Sequence, residues 1–184
     1  TAVTGVKTPS HPRSPRERPG TLVAFLGTFD PVLYDFDLIL TAIRLVRSPG
    51  ARLVIAGARS GAEVEAMRAR AVRCGAADRV EILPWLSYEE LEALKARVDV
   101  GLSPLAINAR NRGGTPLKVL EYLSAGIPVV GSDLPSIRDL LGDIRCGLIA
   151  DHTAAAWATA IDRVLRDPPF ADALSANCLA LAKE

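Results

Sequence analysis

Short, continuous apolar runs alternate with stretches of helical periodicity along most of the chain, and this alternation limits the fold more than any other feature. The first run, Leu22-Val23-Ala24-Phe25-Leu26, is uninterrupted and ends at Gly27, as a strand buried on both faces would. Arg52-Leu53-Val54-Ile55-Ala56-Gly57, Val80-Glu81-Ile82-Leu83, Val100-Gly101-Leu102-Ser103-Pro104, Pro128-Val129-Val130 and Gly147-Leu148-Ile149 repeat the scheme. Between them, Asp35 or Asp37 opens a helix through Ile39, Ile43 and Val46 that Pro49-Gly50 ends. Val64, Met67, Ala71 and Cys74 mark one face of the next, closed by Gly75. Ser87-Tyr88-Glu89-Glu90 is a capping box leading into Leu91, Leu94 and Val98. Further helices are expected near residues 135–141, around Trp157, Ile161 and Val164, and from Phe170 onward. Each parallel crossover needs a connecting element, so the pattern implies an α/β fold. It is a doubly wound parallel sheet of about six strands with helices on both faces.

The stretch from Gly113 to Gly131 is the most specific. Thr115 reads as an N-cap and Pro116 as the first helical residue, because proline's fixed φ suits that position and its missing N–H is no loss there. Val119, Leu120 and Leu123 recur at helical spacing and fix the helix to the sheet, and Gly126 stops it. The N–H groups of the first turn, with Lys118 beside them, suit an anion, typically phosphate. In a doubly wound sheet, ligands bind outside the carboxyl ends of the strands where the strand order reverses. With the order 3-2-1-4-5-6, the loops concerned are Gly27-Thr28-Phe29-Asp30 and residues 105–115, the second running into this helix.

Composition narrows the partners. The 184 residues, 49% hydrophobic, bury one full-size core. A net charge of +1 gives no general argument for nucleic acid. The three cysteines, Cys74, Cys146 and Cys178, lie far apart and signal neither a disulfide frame nor zinc. Residues 8–20 carry four Pro, three Arg and no apolar residue, so residues 1–20 are expected to form a flexible interdomain linker and residues 21–184 the domain. The chain has no initiator Met and its last residues stop inside a helical pattern, as in a piece of something larger.

The run Thr115-Pro116-Leu117-Lys118-Val119-Leu120-Glu121-Tyr122, followed by Ser124-Ala125-Gly126-Ile127-Pro128-Val129-Val130, resembles the donor-binding signature of retaining glycosyltransferases of the GT-B fold. It is most similar to the group 1 type that builds bacterial surface polysaccharides. Other pieces fall in the family's order, including Phe25-Leu26-Gly27-Thr28-Phe29, Asp78-Arg79-Val80-Glu81-Ile82 and Cys146-Gly147-Leu148-Ile149. Even Thr4-Gly5-Val6-Lys7 resembles the opening of the family's interdomain linker. The resemblance implies the second, Rossmann-like half of a two-domain enzyme, with the acceptor-binding N-terminal domain missing from this chain.

The resemblance also implies roles. Glu121 matches the glutamate that accepts hydrogen bonds from the ribose hydroxyls of the nucleotide. Gly114, Thr115, Pro116 and Leu117 match the turn that approaches the diphosphate and the sugar, and Gly27 and Thr28 the opposite wall. Trp85 follows the third strand where the family places base contacts, and reads equally as a packing residue. The chain departs from the family at Thr28 and near Leu33 and Tyr34, where many relatives carry diphosphate-binding Arg and Lys, and at Gly113, where many carry a first glutamate. The cationic work then falls to Lys118, Arg110 or Arg112, although the two arginines read equally as a solvated loop. Lys118 and Glu121 are the residues expected to carry catalysis. The implied substrate is a UDP- or GDP-sugar, transferred with retention to a saccharide or lipid-linked acceptor without metal or other cofactor. No nucleic acid is expected as partner. The resemblance implies a cytoplasmic protein and leaves open peripheral attachment of the full-length enzyme to the inner face of the membrane. Asp35-Phe36-Asp37 reads as an N-cap with a first-turn acid rather than a metal motif. Two other readings stay open, a nucleotide-sugar 2-epimerase and a non-catalytic nucleotide-binding domain with a degenerate site.

Overall fold

The structure is a computed structural model that describes residues 21–112, 117–142 and 145–181. The expected linker over residues 1–20 and the turn at residues 113–116, with the Thr115 cap, lie outside the described residues. The elements follow in the order β1 (Leu22–Leu26), α1 (Phe36–Leu45), β2 (Arg52–Ala58), α2 (Gly61–Arg73), β3 (Val80–Pro84), α3 (Tyr88–Lys95), β4 (Val100–Ser103), α4 (Leu117–Ser124), β5 (Val129–Ser132), α5 (Pro135–Leu141), β6 (Gly147–Ala150), α6 (Ala154–Arg166) and α7 (Pro168–Leu181). The six strands form one parallel sheet in the order β3-β2-β1-β4-β5-β6.

Strand alternation divides the core into two layers. Val23 and Phe25 of β1 point to the layer formed with α1, α2 and α6, where Ile39, Met67, Trp157 and Ile161 are buried. Ala24 and Leu26 point to the other, where α3, α4 and α5 contribute Leu94, Val119, Leu123 and Ile137. Helix α7 begins against the first layer with Leu174 and ends in the second with Cys178. Helices after β1 and β4 therefore leave the sheet on opposite faces, so the strand order reverses between these neighbours, the point at whose carboxyl ends doubly wound sheets form their ligand crevice.

The local signals act as expected. Asp35, not Asp37, caps α1 by accepting from the Leu38 N–H at 3.0 Å, while Asp37 pairs with Arg70 of α2. Ser87 and Glu90 form the reciprocal capping box of α3. The β3 strand runs one residue further than its apolar run, because Pro84 pairs opposite Ala58 after an irregularity in register. Proline is tolerated there because β3 is an edge strand.

The β1–β4 pairing is short. It covers only Val23 with Val100 and Ala24 with Gly101. Where it stops, the Tyr122 hydroxyl of α4 accepts from the Leu26 N–H at 2.8 Å and donates to the Ala24 carbonyl at 3.1 Å. The ring fills the space of a missing side chain, since a Cβ on Gly101 would lie 2.7 Å from it. Gly101→Ala is expected to destabilise the chain by about 1–3 kcal/mol through overpacking. Tyr122→Phe is expected to cost a similar ~1–3 kcal/mol by leaving a buried N–H unpaired. Urea unfolding of both variants, of Tyr122→Leu and of the Gly101→Ala/Tyr122→Leu pair checks this, the pair being less destabilised than the sum of Gly101→Ala and Tyr122→Leu.

Candidate functional site at the carboxyl ends of β1 and β4

Two loops form the crevice, and each is held by its own chemistry. After β1, the chain is pinned by the Gly27 N–H donating to Ala56 O at 2.9 Å. Gly27 has φ +143, and a Cβ on Gly57 would sit 2.3 Å from the Gly27 carbonyl oxygen, so both positions require glycine. Asp30 then folds the loop back, its carboxylate accepting from Val32 and Leu33 N–H groups at 2.8 and 3.2 Å. Tyr34 bridges to Leu105, and the Asp35 N–H donates to Pro104 O at 2.8 Å.

The loop after β4 is stitched to the first. The buried Asn111 side chain donates to Leu33 O at 3.0 Å and Ala106 O at 2.8 Å. Asn108 accepts from the Asn111 N–H and donates to Val32 O, each at 3.0 Å. Asn111 is the centre of a single 3-10 turn whose outer members, Arg110 and Arg112, are exposed.

Between the loops lies an aromatic slot. Phe25, Phe29, Tyr34 and Phe36 pack edge to face, with the Phe25 centroid 4.9 Å from Tyr34 and 5.0 Å from Phe36. Lys118 enters it from α4, its Nζ 3.3 Å from the Phe25 ring centroid and 3.8 Å from that of Tyr34. Only 9% of the residue is exposed, and its amine has no hydrogen-bond partner among the described residues. The amine lies directly under the end of β1, where a Cβ on Gly27 would be 3.0 Å from it. Burial pushes the ammonium well below the ordinary lysine range, and the negative charge of Glu121 opposes this more weakly. The two ring faces also favour the charged form, offsetting part of the cost. Burial likewise raises the Tyr34 phenol, assisted by Asp30 and Glu121, so the slot's titratable neighbours are Tyr34 and Glu121.

The structure thus brings Gly27, Lys118 and Glu121 together, with Thr28 half-buried beside them. Glu121 is exposed one turn beyond Lys118. Lys118 does not stand openly beside the first helical turn, because Val119 and Leu123 turn the helix so that Lys118 and Tyr122, four residues apart, face inward. Leu120 is only half-buried, and the Leu117 side chain is 71% exposed. Trp85 is 63% exposed at the end of β3, separated from β1 by β2, with its backbone N–H donating to Ala58 O at 2.7 Å. Gly114, Thr115 and Pro116 lie outside the described residues. His152 stands 3.0 Å from the Asp35 carboxylate.

Sequence reasoning missed Tyr34, Tyr122 and Asn111. For the two tyrosines the signals were present: three of the four phenylalanines fall between residues 25 and 36, and Gly101 interrupts an apolar strand, which marks a close approach. Among the described residues, no three His, Cys, Asp or Glu side chains converge to hold a metal ion. A second depression, at the ends of β5 and β6, is lined by Asp133, Arg138, Asp139 and Asp151. Its arginine is already paired with Asp133, so it offers an anion nothing. No described helix is long and apolar enough to cross a membrane.

The folded chain binds fewer protons at Lys118 than the unfolded chain, so its burial penalises stability at neutral pH and the penalty fades as pH rises towards about 10.4. Lys118→Met is therefore expected to raise Tm near neutrality, with the gain shrinking as pH increases. Thermal unfolding of both proteins across that pH range checks it.

The family model for group 1 glycosyl transferases matches residues 20–167. D-inositol 3-phosphate glycosyltransferase of Mycobacteroides abscessus is 32% identical over 148 residues, covering 78% of this chain and 32% of the relative. The GDP-mannose-dependent alpha-(1-6)-phosphatidylinositol monomannoside mannosyltransferase of Mycobacterium tuberculosis is 31% identical over 149 residues, covering 76% and 37%. The chain therefore spans about a third of the length of these relatives. Among solved structures, the lipopolysaccharide glycosyltransferase WaaG superposes with a TM-score of 0.74 at 18% identity, over 91% of this chain and 44% of that one. Anabaena HepE in complex with UDP and glucose gives 0.74 at 16% identity, over 90% and 44%. Both share the fold, and with the family model extending over most of the domain, the chain belongs to the group 1 glycosyltransferases as a C-terminal GT-B domain.

Proposed function

We propose that this chain binds the nucleoside diphosphate of a nucleotide-sugar donor, as the donor half of a two-domain enzyme that transfers the sugar with retention of configuration. The observation that carries the reading is the Lys118 amine, buried without a hydrogen-bond partner among the described residues and lying under Gly27 at the mouth of the crevice. A buried cationic group lacking a partner is costly, and a diphosphate would supply one. In this reading Glu121, exposed on the same helix, accepts hydrogen bonds from a vicinal diol, which in a nucleotide is the ribose. Support for the ligand class comes from neighbours: HepE structures are described in complex with UDP and with UDP-glucose, and the mycobacterial mannosyltransferase is named as GDP-mannose-dependent.

The proposed chemistry follows from charge. As the bond from the anomeric carbon to the diphosphate lengthens, negative charge grows on the leaving nucleoside diphosphate. A protonated Lys118 and the N–H groups opening α4 stabilise that charge most when it is largest, which lowers the barrier rather than only tightening binding. Residues 114–117, Gly27 and Thr28 complete the diphosphate walls in this proposal. Arg110 and Arg112 flank the mouth, Trp85 serves as a platform for the base, and no metal is required. In this proposal the acceptor, a saccharide or lipid-linked acceptor, is held by the N-terminal domain. The whole enzyme works in the cytoplasm in this proposal. By itself, the chain binds nucleotide and transfers no sugar.

Calorimetric titration with UDP and with GDP tests the reading. At least one is expected to bind, and Glu121→Ala to weaken it by about tenfold to about a hundredfold, the worth of hydrogen bonds to a charged group. Binding of neither nucleotide, or binding indifferent to that substitution in a variant with unchanged circular dichroism, overturns it.

A further inference from the structure

The state of the amine before any ligand arrives goes beyond the choice of substrate. Lys118 is a long cationic side chain in a slot built of Phe25 from β1 and Tyr34 from the following loop, with its Nζ facing ring surfaces rather than oxygen atoms. Among the described residues, the groups that titrate around it are few. Glu121 lies on its own helix and is exposed, Tyr34 comes from the loop after β1, and Asp30 acts on Tyr34. Tyr122, on the same inward face of α4, is fully committed to the β1 backbone. β1 contributes Phe25, and the Gly27 backbone that follows it lies against the amine. No carboxylate bonds the amine in place among the described residues, so an ammonium there lacks a fixed counter-ion until one is delivered from outside. Placing a diphosphate against Gly27 supplies two anionic groups within reach of that amine and favours its charged form.

We propose that Lys118 is held as an uncharged amine between Phe25 and Tyr34, and that it takes up one proton from solvent when a nucleoside diphosphate docks against Gly27. This rests on the donor-binding reading above. The consequence is a site that stores no uncompensated charge when empty and creates its cation only beside the anion that needs it. Across the interval separating the amine's proton affinity in the free and occupied states, binding weakens by up to about tenfold per pH unit as pH rises, because one proton is consumed per ligand bound.

Titration calorimetry of the 184-residue chain with UDP and GDP tests this between about pH 7 and about pH 9, where the terminal phosphate, with a pKa near ~6, is already ionised. Repeating each titration in buffers of different ionisation enthalpy gives the protons taken up. The wild type is expected to approach one proton per nucleotide, and Lys118→Arg, always charged, to bind with none and with a flat pH profile. Lys118→Met should bind more weakly and also without uptake. Nucleotide binding without proton uptake in the wild type, or uptake that persists in either variant, overturns the proposal. Side-chain nitrogen NMR of Lys118 in the wild type needs no variant: a neutral amine when free and an ammonium when bound is expected, and an ammonium in both states refutes it. Failure of the wild type to bind either nucleotide overturns the donor-binding reading instead, so the two failures are distinguishable.

Discussion

The Tyr122 hydroxyl is the contact on which the site depends. β1 and β4 are neighbours, yet their pairing ends at Ala24 and Gly101, and beyond that point the strands would leave buried polar groups unsatisfied. The phenol supplies the missing partner, bonding to both Ala24 and Leu26 on β1 and meeting the Leu102 backbone on β4. Burial raises its proton affinity despite those bonds, so it stays a neutral donor and acceptor. The strands can therefore part, and the crevice exists, without an energetic fault at its root. Because Tyr122 is one residue from Glu121 and one turn from Lys118, the same contact sets the rotation of α4 and with it the directions of Lys118 and Glu121.

The Lys118 slot is the opposite case, a place where stability is given up. An apolar side chain among Phe25, Tyr34 and the end of β1 would be favoured in the empty domain, and an amine is present instead. Such local conflicts concentrate at functional sites, where the compensating interaction comes from a ligand. The surroundings compensate in advance. Glycine at 27 and 57 allows the close approach of β1 and β2, and Asn108 and Asn111 tie the two crevice loops through backbone carbonyls, so the slot does not collapse around its unpaired group.

Much of this was legible from the chain itself. The strands follow the apolar runs because burial on both faces demands them, and Asp35, Ser87 and Gly126 start or stop helices by chemistry that acts over three or four residues. Glu121 was legible as the odd member of an inward-packing helix, and it is exposed. Asn111 was not, because its partners Leu33 and Ala106 are carbonyls that only loop packing brings near. Trp85 was ambiguous in sequence, and its exposure at the edge strand follows from strand order, which distant pairing decides.

Sequence by itself determined the strand and helix alternation, the crossover pattern, the family and the helix that carries Lys118 and Glu121, since each of these rests on local periodicity or a contiguous motif. It placed Lys118 as an open cation beside a helix terminus. Only the tertiary structure decided that the amine is buried, because Phe25, Tyr34 and Lys118 come from three separate elements and meet only when β1, its loop and α4 pack together. A side chain's charge state depends on the dielectric and partners around it, and those are properties of the assembled fold, not of the residue's neighbours in the chain.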